Sequence, residues 1–171
     1  MDADSNLIRR MRRGDEDAFD AFVRKYYGQM LAYCAYHCHD REEAKDLAQE
    51  TFLRFVSSLP EYSHRGKAKS YLYTIAGNLC KNHYRKHGEH GCDPFDENAF
   101  GTGSDGDVVS ALVVRDCLDR LQDEYREVII LFYYQDLRQS EIADILGIGV
   151  PLVKYRLRQG KEQMRRLLEE E

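Results

Sequence analysis

Between residues 91 and 110 the helical rhythm of this chain stops. The stretch holds four glycines, five acidic groups and no basic one, and no apolar residue recurs at helical spacing. Such a composition buries too little apolar surface to order itself and reads as a flexible acidic linker. It divides the 171 residues into lobes of residues 1–90 and 111–171. Each lobe is small, so each depends on close helix packing for its stability. Three prolines and no tryptophan in the whole chain favour long helices over a turn-rich β architecture. The expected fold is all-α: two small helical domains joined by the linker.

In the first lobe Phe19, Phe22, Tyr26, Met30, Tyr33 and Cys34 recur mostly at three- and four-residue steps and form one apolar stripe. Asp15 or Asp17 can cap that helix. Asp40 can cap the next, with Glu43 three residues on to complete a capping box. There Ala44, Leu47, Ala48, Phe52, Phe55 and Val56 are expected to face inward, and Leu59-Pro60 ends the helix. Tyr71, Leu72, Ile75, Ala76 and Leu79 repeat the spacing through about Lys86. In the second lobe Val108 to Leu121 form a helix with Leu112, Cys117, Leu118 and Leu121 inward. Tyr125 to Tyr134 form a very apolar one, followed by Ser140 to Leu146 and Val150 to Leu168.

The most specific local pattern is Glu141 to Leu157. A short amphipathic helix breaks at Gly147, and a second starts near Gly149 with Pro151 in its first turn, where a missing amide costs nothing. Ala143 is small enough for a close crossing, and Ile142, Ile145, Leu146, Val153 and Leu157 supply a shared core. This is a helix-turn-helix, whose second helix enters the DNA major groove. Six basic groups between Lys154 and Arg166, against the single acid Glu162, fit that task.

A second basic stretch, Arg65 to Lys86, holds six Lys/Arg and no acid, with Tyr71, Tyr73 and Tyr84 among them. Cations beside aromatic rings suit single-stranded nucleic acid, the charge following the backbone while rings stack on bases. Asn78, two turns past Tyr71, can read a base edge. Opposite in sign, Asp46, Gln49 and Glu50 share one helix face that can dock a basic protein surface.

Other classes are excluded by what is missing. The longest apolar runs are seven residues, Met30 to Tyr36 and Val128 to Tyr134, and a bilayer span needs about 20. An acidic run follows the N-terminal arginines, so no signal peptide is expected and the chain is read as cytoplasmic. Five cysteines are read as reduced thiols packing as small hydrophobes. Cys34, His37, Cys38 and His39, and the looser set His83, His87, His90 and Cys92, resemble metal-ligand clusters, but packing accounts for Cys34 and no metal or other cofactor is expected. No phosphate loop, nucleophile elbow or catalytic carboxylate pair appears, so the chain is not read as an enzyme.

Taken together, these segments resemble a bacterial RNA polymerase sigma factor of the extracytoplasmic-function group, over nearly the whole chain. Asp40 to Phe55 resembles the family's polymerase-clamp-binding helix, Gly66 to Cys80 its promoter-melting segment, and Leu121 to Leu168 its −35-binding domain. The resemblance implies that Asp46, Gln49 and Glu50 contact core RNA polymerase. It implies that Asn78 and the His64-to-Ser70 loop capture a base flipped from the −10 element, with Lys67, Lys69, Tyr71, Lys81 and Arg85 in the same site. It places Lys154, Tyr155, Arg156, Arg158, Gln159 and Lys161 at the −35 element, and implies an anti-sigma factor as partner. Three positions depart from the pattern: Tyr71 stands where many members have Trp, Gly77 where Arg is frequent, and Pro151-Leu152 where Gly-Thr is common. The competing reading is a helix-turn-helix regulator that acts without polymerase.

Overall fold

Three aspartates set the starts of the first three helices in the computed structural model, which describes residues 2–87 and 105–170, with side chains for residues 2–83 and 111–170. Asp2 accepts the Ser5 amide at 2.8 Å and opens α1 (Ala3–Arg12). Asp15 accepts the Asp17 and Ala18 amides and opens α2 (Glu16–His37); Asp40 accepts the Glu42 amide at 2.8 Å and opens α3 (Arg41–Ser58). α4 (Ala68–His87) follows a loop. Each carboxylate satisfies an amide that the helix leaves unpaired and sits at the positive end of the helix dipole.

The chain divides into two compact units between Pro94 and Phe95. All regular structure among the described residues is helical. In the first unit Phe22 stacks on Phe55 with centroids 4.8 Å apart, and meets Tyr26 and Phe52 edge-on. Around them Met30, Tyr33, Ala44, Ala48, Leu72, Tyr73 and Ala76 are almost wholly buried. Burial of this kind contributes about 1.5–3 kcal/mol per large side chain.

Two expectations need correction here, and one helix has no counterpart among them. α1 was not anticipated: it packs Ile8 and Met11 inward, and Asp4 accepts from Lys25 Nζ at 2.7 Å and Tyr26 Oη at 2.5 Å. Glu43 does not close a capping box, because its carboxylate reaches across to His83 on α4, 3.1 Å away. Val56 is 36% exposed and Leu47 only half-buried, while Thr51 is fully buried. The Thr51 hydroxyl donates to the Leu47 carbonyl at 2.7 Å, which lets a polar residue take a core position.

The second unit is built from α5 (Asp105–Arg120), α6 (Asp123–Ile129), α7 (Gln139–Leu146) and α8 (Val150–Glu169). α5 begins inside the stretch assigned to the linker; Asp105 and Asp107 favour a helix start, and Gly106 between them masks the pattern. α6 widens into a π-helical turn, Ile130–Tyr134, which differs from the single α-helix expected. Val128, Ile129, Ile130 and Leu131 are buried in succession, and the wide turn then exposes Tyr133 and Tyr134. Cys117, Leu118 and Leu121 of α5 and its following turn are buried as expected, whereas Leu112 is half-buried.

Candidate nucleic-acid interfaces

The turn between α7 and α8 is fixed by one residue. Gly147 ends α7 at φ 66°, ψ 36°, in the left-handed region that disfavours side chains, and the Ile148 amide donates to the Ala143 carbonyl at 3.1 Å. Gly149 then starts α8 with Pro151 in its first turn. Ile142, Ala143, Ile145, Val153 and Leu157 are buried between the two helices, with Leu146 half-buried. The result is the expected helix-turn-helix.

That core fixes what α8 presents outward. Lys154, Tyr155, Arg158 and Lys161 are exposed and Gln159 half-exposed, at spacings that share one face. The Arg158 guanidinium lies 5.7 Å from the Tyr155 ring centroid, a cation–π contact that orders both. Arg156 behaves differently: it is only 21% exposed and turns to Glu124 of α6 at 3.5 Å. Farther along, Arg165 binds Glu162 at 2.6 Å and Glu169 at 2.8 Å, and Arg166 binds Glu162 at 3.3 Å. Arg165 holds the Glu162 carboxyl below its ordinary range. The basic run therefore resolves into a cationic face of Lys154, Arg158 and Lys161, with the last two arginines paired within the helix.

α4 builds the second site. A shallow cleft of about 200 Å³ lies between α3 and α4, lined by Arg54, Tyr71, Ile75, Asn78, Leu79 and Asn82. The ring of Tyr71 is half-buried and stacks on Tyr62 at 5.0 Å and 18°, with Phe55 behind it at 5.8 Å. Asn78 is exposed at the cleft, with Lys81 exposed one turn further on and Lys67 and Lys69 at the helix start. Arg85 lies outside the described side chains. Tyr73 is not a surface ring: it is fully buried, edge-on to Tyr33 at 5.3 Å. Gly77 has a packing reason, since a β-carbon there would stand 3.1 Å from the Tyr33 hydroxyl. Tyr62, Arg54 and Asn82 were not singled out in the sequence: the first lies in a loop with no period, and the other two stand outside the apolar stripes of their helices.

On α3, Asp46 and Gln49 are exposed and Glu50 accepts from Arg54 Nε at 3.1 Å. Leu53, 57% exposed, and Val56 continue this face with apolar surface. An acidic face continued by exposed aliphatic side chains suits a protein partner. Cys34 and Cys38 are buried, and Cys38 Sγ donates to the Cys34 carbonyl at 3.0 Å. Cys92, His87 and His90 lie outside the described side chains.

A helix-turn-helix in one unit, and in the other a cleft walled by Tyr71 beside exposed lysines, fit a two-unit DNA-binding protein. Comparison with known proteins gives the family. The family model described as Sigma-70 region 2 matches residues 22–90, and that described as Sigma-70, region 4 matches residues 111–164. The chain is 30% identical over 176 residues to the ECF RNA polymerase sigma factor SigW of Bacillus subtilis, across 94% of each chain. It is also 30% identical to RNA polymerase sigma factor YlaC of the same organism, over 88% of this chain and 91% of the relative. Its fold is similar to CnrH, solved with the cytosolic domain of CnrY, with TM-score 0.79 at 21% identity over 99% of both chains. This chain belongs to the extracytoplasmic-function group of RNA polymerase sigma factors. It acts with core RNA polymerase to direct promoter-specific initiation of transcription. No helix among the described residues is long and apolar enough to cross a membrane.

Proposed function

We propose that residues 1–90 bind core polymerase and the −10 element, that residues 91–110 link, and that residues 111–171 bind the −35 element. Asp46, Gln49 and Glu50, extended by Leu53 and Val56, dock on polymerase. Asn78 reads a flipped −10 base against Tyr71, while Lys67, Lys69, Lys81 and Arg85 hold the strand's phosphates. Lys154, Tyr155, Arg158, Gln159 and Lys161 face the −35 major groove, and Arg156 holds α8 against α6. The protein works in the cytoplasm, has no catalytic chemistry of its own, and is held inactive by an anti-sigma factor. A solved relative, RpoE from Bartonella quintana, is bound to the anti-sigma factor NepR, which supports that class of partner.

The observation that carries this reading is the cleft, where Tyr71 and Asn78 stand together beside the loop. Extruding a base from duplex costs a few kcal/mol. A ring wall and an amide edge are the groups that offset it. Run-off transcription with core polymerase on a promoter library tests the whole assignment. Asn78→Ala is expected to slow promoter opening and relax the preference at one −10 base while core affinity holds. Asp46→Ala combined with Glu50→Ala is expected to lower core affinity at least about tenfold. Intact core affinity in that variant removes the polymerase role of α3. DNA binding without specific initiation by the unmutated protein favours a regulator instead.

A further inference from the structure

The loop from Leu59 to Lys67 carries the start of the −10 site, and it is tied at its start and its middle to a helix some fifty residues away. At its beginning, Arg12 of α1 donates to the Leu59 carbonyl at 3.3 Å and to the Tyr62 carbonyl. Further along, His64 Nε2 meets both carboxylate oxygens of Asp2, at 3.0 and 3.1 Å. The His64 side chain is 11% exposed and that of Asp2 42%, so the contact is shielded on the loop side and open to solvent on the helix side. Its other ring nitrogen, Nδ1, meets the Tyr62 hydroxyl at 3.1 Å. Gly66, at φ 75°, brings the loop backbone so close that a β-carbon there would stand 3.1 Å from Asp2 Oδ2.

The chain of contacts then runs directly into the cleft. Tyr62, fixed through its hydroxyl by His64 and through its carbonyl by Arg12, stacks flat on Tyr71. Tyr71 is a wall of the cleft. α1 is itself anchored to α2, where Asp4 accepts from Lys25 and Tyr26. A rigid element thus sets the position of a ring that a captured base would contact, through hydrogen bonds with defined directions.

We propose that α1 is a strap that holds the promoter-reading loop in shape, with Asp2 and His64 as its latch and Arg12 as its anchor. These three are positioning residues, and they act through Tyr62 and Tyr71. The proposal rests on the reading of the cleft as the −10 site. Its consequence is selectivity, because a pocket that is held in place rejects the wrong base and a loose one accommodates it.

The test uses the full chain with core polymerase and two variants. His64→Ala removes the latch from the loop side. Asp2→Ser removes it from the helix side while keeping an N-cap, since serine caps a helix as well as aspartate. Three quantities are measured: amide hydrogen exchange at residues 62–67, core affinity, and the ratio of opening rates on the preferred −10 element and on single-base substitutions of it. Both variants are expected to exchange about fivefold faster at 62–67 with α1 still protected in Asp2→Ser, and to lose about fivefold in the −10 ratio. Core affinity is expected to stay within about twofold. Unchanged exchange at 62–67 in both variants overturns the latch. A matching fall in core affinity overturns the positioning role, because it marks general loosening of the unit. Faster exchange with an unchanged −10 ratio supports the strap and removes instead the reading of the loop as a promoter site.

Discussion

A glycine inside a helix is either a weakness or a clearance, and the atoms around the missing β-carbon decide which. At Gly28 in α2 nothing stands within 4 Å of that position, and the residue is exposed. Gly28→Ala is therefore expected to stabilise the first unit by about 0.5–1 kcal/mol, the conformational cost of glycine in a helix. At Gly160 in α8 the β-carbon would meet Ile129 Cγ1 at 2.9 Å and Cδ1 at 3.1 Å, with the Tyr125 carbonyl at 3.4 Å. Ile129 is 3% exposed, so any shift of its side chain is made within the packed core. Gly160→Ala is expected to destabilise the second unit, because overpacking of about 1–3 kcal/mol exceeds the helix gain of ~1 kcal/mol. Urea unfolding followed by residue-specific probes in each unit reads both signs, and opposite shifts of the two midpoints are the expected result. Gly77 lies between these cases, with Tyr33 Oη 3.1 Å from its β-carbon position. The cost of a glycine in α4 is thus coupled there to the placement of a buried tyrosine, a coupling that no spacing rule displays.

At the scale of the element, legibility followed the amount of apolar surface that each helix commits to one face. α2 was readable because Phe22, Tyr26, Met30 and Tyr33 repeat over several turns, and the α7–α8 pair because Gly147 and Pro151 punctuate two short apolar patterns. α1 escaped because only Ile8 and Met11 of its apolar residues are buried, amid four arginines in or just after the helix, and its docking relies on polar bonds from Asp4. Those long-range bonds have no local signature. The outward set on α8 was readable as a face, but the diversion of Arg156 to Glu124 was not, since it depends on where α6 passes. α1 also has a pH dependence with a definite sign. His64 and then Ser5 hold the Asp2 carboxyl down at about 2, against an ordinary 3.8. A carboxylate lowered on folding contributes stability fully above its unfolded value and loses it as pH falls through the folded one. Between about pH 4 and 2, protection of the α1 amides and of residues 62–67 is therefore expected to fall together in the parent chain. In Asp2→Ser the exchange of 62–67 starts high, and the contribution of Asp2 to that acid transition disappears. Hydrogen exchange across that range measures both.

For the whole molecule the decisive quantity is where charge is placed. The chain carries 25 basic and 30 acidic groups, net −5, which on its face disfavours DNA. By segment the balance is +2 over residues 1–90, −5 over 91–110 and −2 over 111–171. The structure refines this further, because Arg156, Arg165 and Arg166 are paired to glutamates within the second unit. Three cations remain on the outward face of α8: Lys154, Arg158 and Lys161. If each neutralises one phosphate, log affinity for a −35 duplex falls with log salt at a slope of about −0.9 per contact, or about −3 in all. Raising salt from 50 to 200 mM then weakens binding by roughly 40-fold. With so few phosphate contacts, the isolated protein is expected to bind promoter DNA weakly. Tight, selective occupancy then requires polymerase, which holds two modest sites on one promoter and raises the effective concentration of each for the other. Lys161→Ala should reduce the slope by about one without altering which −35 sequence is preferred, whereas Arg158→Ala should also relax base preference. Fluorescence anisotropy on −35 duplexes across a salt series separates these outcomes. A tight promoter complex formed by the free protein, or a slope far steeper than about −3, would show that cations outside α8 share the work and that the negative total is no barrier.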